Sequence, residues 1–207
     1  MPLFVDNDVL IKAAHWGLLD YVPQVAGEQW SATSALTALI YRARKAESRL
    51  FKNADVAADL VSRLEQCAPL PDPSVEIITA LQGVNNIDAG EIQLLGALAA
   101  TPGAFLLTGD KRAIAALGDT TLAGIRSQFD GRILCLEQWL WFVHAQLGSA
   151  QLGKHLHPFI AQDMAAKCIV GTSGVKSDED ILQGLRSYIS DLDVKAPKLL
   201  CRGFGLV

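Results

Sequence analysis

The sequence predicts an α/β fold: three layers, α/β/α, built on a mainly parallel central sheet, with a helical extension at the C-terminal end. Three observations carry this. Short apolar runs at Leu3-Phe4-Val5, Phe105-Leu106-Leu107-Thr108 and Gly131 to Leu136 are each followed at once by a helical pattern. Strands alternating with helices argue for a parallel sheet covered on both faces. The chain has 207 residues, half of them hydrophobic, enough for one substantial core and too apolar for a disordered protein. The low-complexity stretch Gly148 to Gly153 is the expected boundary, dividing an α/β domain (1–148) from a helical C-terminal extension (149–207).

Taken in order, Leu3-Phe4-Val5 is a buried strand ending at Asp6, and Val9 to Ala14 is a helix. Trp30-Ser31-Ala32-Thr33 is either an edge segment or a helix entry. From Ser34 to Lys52 the spacing of Leu36, Leu39, Ile40, Ala43 and Leu50 predicts a long helix. Its other face would carry Arg42, Lys45, Arg49 and Lys52, which helical spacing stacks on one side. A helix over Ala54 to Gln66 follows. Pro69, Pro71 and Pro73 mark a loop, and Ser74 is placed to cap a short helix through Leu81. Gly83 to Asn86 is a turn. Ala89 to Ala100 is a helix stopped by Pro102-Gly103, and Lys111 to Leu117 is the helix after the second strand. Glu137 to Leu147 is helical and aromatic. In the extension, helices are expected over Pro158 to Cys168 and over Asp178 to Leu192, with Ser177 and the acids after it as caps.

Composition narrows the function classes. No apolar run approaches the ~20 residues that a membrane helix needs, and no basic segment leads into an apolar N-terminal core. Cys67, Cys135, Cys168 and Cys201 are far apart and form no CxxC pair. Reduced thiols in a cytoplasmic protein are expected, rather than structural zinc or a disulfide framework. The net charge of −4 argues against a nucleic-acid binder judged on total charge. The distribution softens this: residues 1–150 hold 11 basic and 16 acidic residues, a net of −5, and residues 151–207 hold 7 and 6, a net of +1. Carboxylates that hold cations would lower the effective charge further.

Three acids stand where an apolar run meets a helix: Asp6 in Val5-Asp6-Asn7-Asp8, Glu91 in Asp88-Ala89-Gly90-Glu91, and Asp110 in Thr108-Gly109-Asp110-Lys111-Arg112. Ligands of open α/β sheets bind outside the carboxyl ends of the strands. Carboxylates converging there repel one another unless a cation lies between them, and hard cations such as Mg²⁺ take oxygen ligands. Metal-assisted phosphodiester hydrolysis is the simplest chemistry for such a site. Each acid also has a structural reading. Asp6 or Asp8 can cap the helix after it, Asp88 and Glu91 have capping-box spacing, and Asp110 can cap the next helix. The readings are compatible, since a helix N-terminus also stabilises a carboxylate.

These motifs resemble the PIN domain, a metal-dependent nuclease fold. Phe4 to Ile11 is similar to the family's opening strand and acid. Asp88-Ala89-Gly90-Glu91-Ile92 resembles the variant in which Gly-Glu opens a carboxylate-bearing helix, and Leu106-Leu107-Thr108-Gly109-Asp110 resembles the strand-end Thr-x-Asp. Gly131 to Leu134 fits the closing strand, so the resemblance covers roughly 1–145. It implies an endoribonuclease using Mg²⁺ or Mn²⁺, with Asp6, Glu91 and Asp110 as catalytic ligands and Asp8 or Asp88 assisting. It also admits a toxin–antitoxin or defence setting, an antitoxin-like partner and a homodimer. One departure is clear: the family's further Glu is expected within Ser34 to Leu39, where no acid stands.

Thr108 is a candidate for orienting a metal-bound water. Lys111, Arg112 and the Arg42, Lys45, Arg49, Lys52 stripe are candidates for contacting a single-stranded RNA backbone, with solvated surface as the plain alternative. His15 and His144 are expected to be packed residues, His155-Leu156-His157 is too short to signal a metal site, and Trp139, Trp141 and Phe142 belong to core or interface. Two rivals remain open: a PIN-like module that binds RNA or protein without cleaving, and a phosphatase of the haloacid dehalogenase type. The second is suggested by Asp6-Asn7-Asp8 but has Leu10 where that family has Thr.

Overall fold

The computed structural model of the protein describes residues 1–159, 164–171 and 176–205. The chain runs β1 (Leu3–Val5), α1 (Asn7–Trp16), α2 (Tyr21–Gln24), β2 (Thr33–Ala35), α3 (Ala38–Arg44), α4 (Ala54–Leu64), α5 (Val75–Leu81) and α6 (Ala89–Ala100). It continues through β3 (Phe105–Thr108), α7 (Lys111–Leu117), α8 (Ala123–Arg126), β4 (Ile133–Cys135), α9 (Leu136–Leu156), α10 (Met164–Val170) and α11 (Asp178–Lys195). The four strands form one sheet in the order β2-β1-β3-β4, and every pairing is parallel.

Alternation along each strand divides the core into two layers. Leu3, Val5, Leu107 and Leu134 face one side, where α1, α3, α4, α9 and α10 cover them. Phe4, Leu106 and Ile133 face the other, under α5, α6, α7 and α8. Period-2 side-chain geometry requires this split, and the sheet is an α/β/α sandwich as its sequence predicts. Helix α11 joins the layers: Ile181 and Leu185 enter the first, Ile189 and Leu192 the second.

The segment after Gly148 is tied to the sheet. Gly148 has φ +72°, a break in helical geometry inside α9, yet Leu152 and Leu156 beyond it are fully buried in the first layer. The tail then follows β4. Leu200 bridges Ile133 in parallel, the Ile133 N–H donates to Leu199 O and the Cys201 N–H to Ile133 O. Exposed strand edges template aggregation unless covered, and this tail covers the β4 edge. The helix expected over Pro158 to Cys168 falls partly outside the described residues; within them α10 begins at Met164. Among the described residues no helix is long and apolar enough to cross a membrane.

One sequence expectation is overturned. The single helix over Ser34 to Lys52 does not form. Thr33–Ala35 is instead the edge strand β2, and α3 stops at Arg44. A Schellman closure ends it: the Glu47 N–H donates to Arg42 O and the Ala46 N–H to Ala43 O, with Ala46 left-handed at φ +45°. Glycine is the usual residue there, so Ala46 hid the stop. Arg42, Lys45, Arg49 and Lys52 therefore do not form a stripe on one helix.

Arg132 ties three segments together. Its guanidinium donates to Ala104 O, Gln128 O, Leu98 O and Thr101 O, closing the C-terminal carbonyls of α6 against the start of β3. Bonds from a charged donor to partly buried carbonyls contribute more than neutral ones. Arg132→Met is expected to lower stability by roughly 3 kcal/mol, read by urea denaturation; a loss near zero would show these bonds to be interchangeable with water.

Candidate active site at the carboxyl edge of the sheet

The strand order changes direction beside β1, with β2 on one flank and β3 on the other. The crevice outside the carboxyl ends of β1 and β3 is thus the topological switch point, where open α/β folds bind ligands. Asp6 directly follows β1, and its N–H extends the ladder to Leu107 O at 2.9 Å. Thr108 ends β3, and its hydroxyl donates to Asp6 Oδ2 at 3.3 Å while accepting from the Asp110 N–H at 3.1 Å. Thr108 is therefore a bracket between the two strand-end acids, buried below them.

An open cleft of about 670 Å³ lies here, lined by Asp6, Asn7, Asp8, Ile11, Leu36, Arg42, Asp88, Gly90, Glu91, Gly109, Asp110, Lys111 and Arg112. All five candidate acids open on it, as do three of the six candidate cations. Lys45, Arg49 and Lys52 do not line it.

The capping readings are largely realised. Asp88 and Glu91 form a reciprocal capping box, with Glu91 N–H to Asp88 Oδ1 at 2.8 Å and Asp88 N–H to Glu91 Oε2 at 2.7 Å. Asp110 Oδ1 accepts from the Arg112 and Ala113 N–H groups. Each of these bonds uses one carboxylate oxygen. Asp6 differs: it is the N-cap of α1 without a side-chain capping bond of ordinary geometry. Asp8 pairs with Lys12 at 2.8 Å and lies against Gly109, where an added Cβ would come within 2.9 Å of Asp8 Oδ2.

Electrostatics separates these acids. Burial, and then the charge of Asp8, pushes the Asp6 carboxyl above its ordinary value, with nearby backbone N–H groups and the Thr108 hydroxyl opposing. Burial pushes the Glu91 carboxyl up to about 7, and the charges of Asp110 and Asp88 add to this against the Asp88 N–H. The burial has a visible source, since Glu91 sits over a small apolar void walled by Leu94, Leu95, Leu106 and Ile114. Negative charge thus gathers here without full compensation.

The cations are partly committed. Arg42 pairs with Glu47 at 3.0 Å, and Arg112, largely exposed, approaches Asp110 Oδ1 at 4.0 Å. Lys111 Nζ lies 2.5 Å from Glu137 Oε1. Glu137 is only 2% exposed and was not singled out by sequence, although it stands two residues past the carboxyl end of β4, in the first turn of α9. Asn7 was also missed; its Oδ1 is buried without a hydrogen-bond partner. Leu36 lines the cleft in the neighbourhood where the resemblance expects a Glu, and it packs so closely on α6 that a Cβ on Gly90 would lie 2.9 Å from its Cδ1.

Three of the four histidines are held elsewhere. His15 bonds Leu50 O, His155 bonds Trp16 O, and His144 meets Ser149 and Asp178. Trp139 is fully buried and donates to Tyr21 O.

The donor chemistry fits a hard divalent cation: oxygen ligands from separate elements, two of them with carboxyls raised by burial and mutual repulsion. Among the described residues, however, no three His, Cys, Asp or Glu side chains stand close enough to share one ion as they are. The Glu91 and Asp110 carboxyls interact directly with each other, and a shared ion would have to draw that pair and Asp6 together. Comparison of the chain with protein-family models, with curated proteins and with solved structures gives no match.

Proposed function

We propose that the protein is a PIN-like, metal-dependent endoribonuclease acting on single-stranded RNA in the cytoplasm. The observation that carries the proposal is the meeting of Asp6, Glu91 and Asp110, from three separate segments, on one cleft at the switch point of a parallel sheet. Asp6, Glu91 and Asp110 would hold Mg²⁺ or Mn²⁺, with Asp8 or Asp88 assisting. A bound ion supplies a water of lowered pKa and neutralises charge on the phosphate. The chain's own residues do the rest. Thr108 keeps Asp6 in register with β3, and Arg112 and Arg42 at the rim offer charge to the backbone of the substrate. The buried floor excludes water beneath Glu91, which strengthens every charge interaction above it. A toxin or defence role with an antitoxin-like partner, and a homodimer, are settings compatible with this chemistry.

The test is cleavage of end-labelled single-stranded RNA in Mn²⁺ or Mg²⁺ against EDTA. Metal-dependent cutting that disappears in Asp110→Asn supports the proposal. Folded protein that cuts no RNA across several sequences counts against it.

A second reading has its own observation. Leu36 occupies the wall where a further acid is expected, and the acids are not gathered into a ready ligand group. A non-catalytic module would bind RNA or protein with no dependence on divalent cation. The phosphatase reading gains nothing, because Leu10, where that family has Thr, is fully buried in the core.

A further inference from the structure

Lys111 is the residue next to Asp110 and lines the same cleft as five carboxylates, yet its ammonium lies on none of them. It sits 2.5 Å from Glu137 Oε1 and 4.1 Å from the centroid of the Tyr188 ring. Glu137 comes from the first turn of α9, immediately after β4, and Tyr188 from α11. The lysine is therefore held from two elements outside the cleft wall that carries it.

This arrangement has a chemical consequence. A lysine is a compact charge on a flexible four-carbon stem. A free one beside Asp110 and Glu91 would fold onto them, because their carboxyls are crowded and partly desolvated. It would then occupy the position a divalent cation needs. A carboxylate as buried as Glu137 is costly unless paired, so it holds the ammonium firmly. The aromatic face of Tyr188 adds a second hold.

We infer that Glu137 and Tyr188 are positioning residues that keep Lys111 off the cleft carboxylates, leaving those carboxylates free for a divalent cation. The inference rests on the cation-binding reading of the site. It also gives the C-terminal extension a part in that site, through Tyr188.

The test is Mn²⁺ binding by calorimetry, which needs no substrate. Four proteins are compared: wild type, Glu137→Gln, Tyr188→Leu, and Glu137→Gln combined with Lys111→Met. Releasing the lysine in Glu137→Gln is expected to weaken Mn²⁺ binding on the order of tenfold, and Tyr188→Leu to weaken it less. Removing the lysine as well restores wild-type affinity in the double variant, an outcome that a merely structural role for Glu137 does not produce. Wild type that binds Mn²⁺, with Glu137→Gln binding equally well, overturns this inference alone. So does weakened binding that the second substitution fails to rescue. Wild type that binds no Mn²⁺ overturns the cation-binding reading and this inference with it.

Discussion

Asp6→Asn is expected to remove cleavage while making the cation-free protein more stable. The first effect follows from ligand chemistry. A carboxylate holding the ion contributes several kcal/mol of charge stabilisation to the reaction, and each ~1.4 kcal/mol is tenfold in rate, so the loss is on the order of 10³-fold. The second effect follows from burial. The Asp6 carboxyl is raised by desolvation and by the charge of Asp8, so at neutral pH its ionised form works against folding. An amide keeps the shape and can still take the Thr108 hydroxyl bond without the charge. Loss of activity together with an unchanged or higher melting temperature is the signature of a functional acid held at a cost in stability. A variant that loses activity by unfolding would instead assign Asp6 a structural role.

Truncation after Lys195 is expected to abolish cooperative folding. The tail buries Ala196, Leu199 and Leu200 completely. Each large side chain contributes about 2 kcal/mol of hydrophobic stabilisation. The tail also satisfies β4 through bonds at Gly131, Ile133 and Cys201, and Gln138 Nε2 donates to Cys201 O at 2.7 Å. Gly118 packs tightly on the start of the tail, where a Cβ would lie 3.0 Å from Ala196 Cα. The combined loss, of roughly 5 kcal/mol or more, matches the whole stability of many domains. It also bares a strand edge prone to aggregation. Residues 1–195 should therefore be insoluble or should melt without a cooperative transition by circular dichroism. A soluble, cooperatively melting fragment would show that the tail is an accessory.

These two expectations draw on different depths of the sequence. The parallel sheet was legible because Leu3-Phe4-Val5, Phe105 to Thr108 and Ile133 to Cys135 are short apolar runs closed by turn or helix signals, which period and length identify. The strand-end acids Asp6 and Asp110 were legible for the same reason, as was the capping-box spacing of Asp88 and Glu91. Edge strand β2 was legible only at its first residue, Thr33, where an edge segment was one of two readings of Trp30 to Thr33 and Trp30 to Ala32 instead form a short helical turn. Thr33-Ser34-Ala35 is small and polar, and it becomes a strand only by pairing with β1, a tertiary effect that local pattern does not carry. The stop of α3 was hidden by Ala46 in a glycine conformation. Glu137 was hidden by its place within an aromatic helix, where nothing in sequence says that Lys111, 26 positions earlier, lies against it. Pairings across the sheet are fixed by register rather than by neighbourhood, and that accounts for most of what the sequence left unread.

A cleft that gathers negative charge for a divalent cation should reveal itself in thermal unfolding against pH. The Glu91 carboxyl lies at about 7 in the folded protein against 4.5 for an ordinary glutamate. Between those values the folded state holds the proton more tightly than the unfolded chain, so this group's contribution is greatest below the lower value and is lost as pH rises through the upper one. Without divalent cation, wild type should melt at lower temperature at pH 8 than at pH 5.5. Mn²⁺ should restore most of the difference at pH 8 in wild type and little of it in Asp6→Asn. A melting temperature at pH 8 that Mn²⁺ leaves unchanged in wild type would show that the cleft carboxylates hold no divalent cation.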